Sequence, residues 1–250
     1  MIHRVKVYGL FTKDARSSYN GERRRARLAG DIANANRVWS GGSSSGGSAG
    51  ADCRIVFTFG GAFDETETRI AGGSVDDAFD SGISRLVDGF RSTTGNAAAI
   101  YVVYVSGDYL SNGSAIGSAG PRFRYYRSQF DYGFFGQVAM TDIAGTSRSP
   151  YTFAHEAGHC LFGYIDSSNR YKGTDPSANG SYHNPDPRNL MYAYAQTGMP
   201  RINSSQCRRA WRSTIVQENA GRAAVNGKPY LSAGKSIGLA TRPRIRIARG

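Results

Sequence analysis

The chain has 250 residues, 40% of them hydrophobic and 20% charged, the balance of a globular protein long enough to bury a sizeable core. No apolar run approaches the roughly 18 residues of a membrane span, so no integral membrane protein is expected. The net charge of +12 is uneven: after Glu218 there is no acidic residue, while Arg222, Lys228, Lys235, Arg242, Arg244, Arg246 and Arg249 follow. Such an end attracts polyanions and otherwise reads as a solvated tail.

In chain order, HRVKVYGLF from residue 3 alternates like a half-buried strand. ERRRARLAGDIANANRVW at 22–39 sets Leu28, Ile32, Ala35 and Trp39 at helical spacing with arginines opposite. SGGSSSGGSAG at 40–50 has no anchoring side chain and reads as a flexible loop. CRIVFTFGGAF follows as a strand beginning at Cys53. A helix is then predicted from Ser74, as N-cap, to Phe90, with Val75, Phe79, Leu86 and Phe90 inward. AAAIYVVYV at 97–105 is continuously apolar and β-branched, which suits a strand buried on both faces. This βαβαβ order predicts a mostly parallel sheet with helices packed on it. Residues 106–133 carry a weak pattern, FFGQVAMT looks like one further strand, and RPRIRIAR near the end alternates like a short one.

The next helix carries the chemistry. Ser149 and Pro150 form a start signal, and Phe153, Ala157, Cys160, Leu161 and Tyr164 fall on one stripe. His155 and His159 fall nearly opposite, which predicts that they face a cleft or solvent. Two imidazoles one turn apart can share one zinc ion, and Glu156 between them can reach its water. Zinc lowers the pKa of bound water to about 7 and polarises a carbonyl, while a glutamate moves the proton to the leaving amine. Gly163 stands where a left-handed turn would carry the chain back toward the metal. The three cysteines, Cys53, Cys160 and Cys207, permit one disulfide at most and form no disulfide framework.

HEAGHCLFGYID at 155–166 resembles the metzincin signature HExxHxxGxxH or HExxHxxGxxD, with one extra residue before the glycine. The lengthened spacing is similar to that of IgA-peptidase-type metallopeptidases and of a secreted effector protease of enteric bacteria. NLMYAY at 189–194 resembles the family's methionine turn, with Met191 as its methionine. Ala193, flanked by Tyr192 and Tyr194, stands where some members carry a tyrosine, so no tyrosine role is carried over from the family. SSQCRRAWRSTIV at 204–216 resembles the closing helix, with Cys207, Trp211 and Ile215 at helical spacing.

The resemblance implies a metzincin-like α/β zincin with a mostly parallel twisted sheet and packed helices. Its upper part would run to about residue 163 and its loop-rich lower part over 164–220, with 221–250 a basic tail. The implied function is zinc-dependent endopeptidase, with Zn2+ as cofactor and Glu156 as general base. Its substrate would be a protein or peptide, acidic ones included, lying along an edge strand within 111–140. Nucleic acid is not the expected partner. An exported protein is expected, although MIHRVKVYGLFTKD shows no secretory signal. Two other readings stay open: a zinc hydrolase of a non-protein amide such as a cell-wall bond, and a basic polyanion-binding protein without catalysis.

His155 and His159 need a third ligand. Asp166 is the expectation, because it lies seven residues past His159 and three past Gly163, as the resemblance implies, and closing so short a loop costs little. His183 is the rival: it would complete a common three-imidazole site but requires that a long Gly, Ser, Asn and Pro-rich loop be held in place.

Overall fold

A computed structural model describes residues 1–16, 21–41, 50–65, 67–95, 97–126, 132–166, 170–217 and, as backbone, 244–246. Most of the Gly/Ser loop at 40–50 and most of the basic tail lie outside the described residues.

Strands β1 (His3–Thr12), β2 (Ile55–Glu65), β3 (Ala99–Tyr104), β4 (Ala115–Tyr126), β5 (Tyr132–Met140) and β8 (Arg244–Arg246) form one sheet in the order β2-β1-β3-β5-β4-β8. The first four neighbours, β2, β1, β3 and β5, run parallel. Strand β4 returns antiparallel to β5, and β8 antiparallel to β4. The expected mostly parallel sheet is therefore present. Strand β3, expected to be buried on both faces, is buried at all six positions.

Helix α1 (Gly21–Trp39) crosses one face of the sheet, burying Leu28, Ile32, Ala35, Val38 and Trp39. Burying each large side chain among these contributes about 1.5–3 kcal/mol. The same apolar layer includes Phe57, Phe153, Ala157 and Leu161, so α1 and α3 (Thr152–Leu161) share one face. The indole Nε1 of Trp39 donates to the Ala154 carbonyl at 3.1 Å, which fixes α3 against α1. Helix α2 (Ser81–Thr93) packs on the other face through Ile83 and Val87. Helices on opposite faces are what right-handed crossovers produce when the chain reverses direction across β1.

Three local expectations change. The helix expected from Ser74 begins instead at Ser81, because Asp80 accepts from the Gly82 amide as N-cap, while Gly72–Ser74 forms a 3-10 turn and the Ser74 hydroxyl donates to Ala71. Helix α4 (Ser204–Ala210) starts on a capping box between Asn203 and Gln206 and stops before Ile215, which is buried beyond it. Strand β2 begins at Ile55, not at Cys53; Cys53 forms a disulfide with Cys207 of α4, leaving Cys160 free and buried.

Among the described residues no helix is long and apolar enough to cross a membrane.

Candidate metal centre

Helix α3 starts after a turn closed by the Thr152 amide on the Ser149 carbonyl, and Tyr151 holds the N-cap position. Ser149 does not cap it; its hydroxyl donates to the Ile143 carbonyl at 2.7 Å. Every residue of α3 is buried. The stripe of Phe153, Ala157, Cys160 and Leu161 packs into the core as expected, whereas Tyr164 falls beyond the helix in a short strand and is half-buried. The opposite face, expected to meet a cleft or solvent, is covered by the chain between Asp175 and Met191, leaving His155 and His159 each 1% exposed.

Under that cover three imidazoles converge. His155, His159 and His183 each offer a ring nitrogen, and these atoms lie within 4.8 Å of one another. His155 and His159 present their Nε2 atoms to each other at 2.9 Å. His183 stacks on His155 with ring centroids 5.4 Å apart and meets His159 edge-on at 5.1 Å. Nδ1 of His155 lies 2.7 Å from the Leu190 carbonyl, which can only accept, so Nδ1 carries the proton and Nε2 keeps its lone pair.

Burial, and then His183, hold the His155 imidazole down to about 3. Burial, followed by His155 and His183, also holds His159 well below its usual value. All these forces favour neutral imidazole, the form that binds metal. Tetrahedral zinc with Zn–N bonds of about 2.0–2.1 Å places its ligand nitrogens about 3.4 Å apart. The observed group needs only a slight adjustment to reach that spacing, so the residues present fit the ion.

Glu156 follows His155 in the helix and is fully buried. Neither carboxylate oxygen has a hydrogen-bond partner among the described residues, and burial pushes its pKa well above the usual carboxylate range. The neighbouring strand makes room for it: a Cβ on Gly117 of β4 would stand 2.6 Å from Glu156 Oε1. An unpaired buried carboxyl costs about 1–3 kcal/mol or more, a burden that marks functional sites more often than structural ones.

Asp166 is placed elsewhere. The chain leaves α3 as β6 (Tyr164–Ile165), which pairs with β7 (Tyr171–Lys172) in a two-stranded hairpin. Asp166 closes that hairpin: its carboxylate accepts from the Arg170 amide at 2.9 Å and from Arg170 Nε at 3.3 Å. It is not in the histidine group. Gly163 does not make the expected left-handed turn. It is required by close approach, since a Cβ there would lie 2.3 Å from Pro121 Cγ of β4.

His183 is held by polar contacts that substitute for regular structure. Asp175 is 1% exposed and accepts from the Ser177 amide and hydroxyl, from Asn184 Nδ2 and from Gln206 Nε2 of α4. The next residue after His183 donates its amide to the Met191 carbonyl at 2.8 Å, and Asn184 forms a parallel bridge with Tyr192. The Met191 amide in turn donates to Asn189 Oδ1. This ties the loop carrying His183 to the segment whose Leu190 carbonyl meets His155. The signal was present in the spacing of Asp175, Asn184, Asp186 and Asn189, each of which accepts from the amide two residues on.

The architecture is a mixed α/β fold with a mostly parallel central sheet. The backbone is similar to the crystal structure of metalloproteinase-II from Bacteroides fragilis, with a TM-score of 0.50, 15% identity, and coverage of 86% of this chain and 53% of that one. The chain thus spans about half the length of that protein, and at this identity the likeness concerns the fold alone. No protein-family model and no curated protein matches the sequence.

Proposed function

We propose that the chain is a zinc-dependent endopeptidase of metzincin-like type, with His155, His159 and His183 as the metal ligands in place of the expected Asp166, and Glu156 as general base. The observation that carries this reading is a buried, unpaired carboxyl standing next to a convergent group of neutral imidazoles.

Bound zinc would supply a Lewis acid for a carbonyl oxygen and make a nearby water acidic. The chain's own residues supply the rest. Leu190 fixes the His155 tautomer through Nδ1 and so directs Nε2 toward the other two rings. Burial alone favours protonated Glu156, whereas a bound zinc ion would favour its carboxylate, the form that takes a proton from water and returns it to the departing amine. Gly117 keeps β4 close enough for the carboxylate to be shielded from bulk water, which strengthens each charge interaction around it. A peptide would run along β4 by backbone pairing.

The test is to incubate the protein with a denatured proteome, with zinc and with chelator, and to sequence the cut ends. New amino termini that vanish with chelator and return with zinc support the reading. Their absence under all conditions contradicts it.

A further inference from the structure

Strand β4 lies at the sheet margin beside α3, and the peptide-binding edge proposed above is its outer side. That edge is taken. Backbone at Arg244–Arg246 pairs with it antiparallel, setting Arg246 opposite Ala115, Ile245 opposite Gly117 and Arg244 opposite Ser118. Gly117 is the residue against which the Glu156 carboxylate packs. The strand therefore crosses β4 at the point where β4 passes the proposed base, and it comes within 8 Å of α3 between Cα atoms.

A row of unpaired N–H and C=O groups on an edge strand is a template for any extended peptide. The end of the chain reads RPRIRIAR, an alternation suited to a strand. The chain from Gln217 to Arg244 spans 27 residue steps, at about 3.3–3.6 Å each when extended, so its reach does not restrict the pairing. Tethering of this kind gives an effective concentration on the order of 1 mM.

We infer that the C-terminal strand is an intramolecular inhibitor: it occupies the edge of β4 that a peptide substrate must use, and hydrolysis requires its release. This rests on the endopeptidase reading for its consequence but not for the pairing itself. A cis strand at about 1 mM with an intrinsic Kd on the order of 100 µM suppresses turnover about tenfold.

The experiment uses the full chain and its variant carrying Ile245→Pro and Arg246→Pro. Successive strand residues direct their amides to opposite sides, so one of the two prolines must delete a donor to β4. Hydrogen exchange is measured at residues 115–118, together with hydrolysis of fluorescently labelled unfolded casein. The variant is expected to exchange faster at 115–118 and to hydrolyse casein about tenfold faster. A synthetic peptide of residues 241–250 added to it should restore protection and compete with casein. Unchanged exchange at 115–118 overturns the pairing. Altered exchange with equal, measurable hydrolysis in both proteins overturns inhibition. Altered exchange with no hydrolysis by either protein keeps the strand on β4 and refutes the endopeptidase reading instead.

Discussion

Replacing Glu156 by glutamine separates what the carboxyl does for catalysis from what it costs the fold. Glutamine is nearly isosteric, so the packing against Gly117 should survive. Loss of general-base assistance should lower turnover by about 10²–10⁴, equivalent to about 2.7–5.4 kcal/mol at 1.36 kcal/mol per decade. Stability should move the other way. Burial raises the Glu156 pKa in the folded state, so above the unfolded value of about 4.5 the folded chain holds a proton that the unfolded chain has released, and stability falls as pH rises. The chelated variant, which cannot titrate at this position, should be more stable than the chelated parent at neutral pH. The difference should shrink toward zero as pH falls below about 4.5. Turnover on casein and urea unfolding at several pH values read both effects. Activity within about threefold of the parent, or a stability difference that does not change with pH, would refute the reasoning.

Other consequences can be measured separately. Gly117→Ala places a Cβ 2.6 Å from Glu156 Oε1 and should cut turnover by about 10²-fold through misplacement while zinc content, read by elemental analysis, stays at the parent level. Reducing the Cys53–Cys207 bond releases a loop with a sequence separation of 154; the chain-entropy limit is about 5 kcal/mol, so the thermal midpoint should drop markedly with dithiothreitol, and an unchanged midpoint would mean that the bond does not form in solution. Gly163→Ala should destabilise by about 1–3 kcal/mol because its Cβ meets Pro121 and not because of backbone strain, so trimming the contact with Pro121→Ala in the same chain should recover part of the loss.

Much of the architecture was legible because it is written in local pattern. The continuous apolar run of β3 and the helical stripe of α1 each correspond to an element close to where they were expected. The α2 boundary was not, since Ser74 and Asp80 are both good caps and only the 3-10 turn at Gly72–Ser74 decides between them. His155, Glu156 and His159, sharing one turn of α3, are candidates readable from spacing alone. The third histidine was not, because what brings His183 in is tertiary: a buried Asp175 gathering Asn184 and Gln206 from separate parts of the chain. Asp166 is close to His159 in sequence, but the chain passes Gly163 against Pro121 of β4 and enters a hairpin in which the Asp166 carboxylate accepts from Arg170.

The central claim is that His183 completes a three-imidazole zinc site with His155 and His159. Zinc titration by calorimetry into chelator-stripped protein, comparing the parent with His183→Ala and Asp166→Ala, addresses it directly. The parent and Asp166→Ala should each bind one equivalent with closely similar affinity, while His183→Ala should lose more than the 10–100-fold expected for a residue outside the ligand set. Retention of parent affinity by His183→Ala together with loss of zinc by Asp166→Ala would contradict the account.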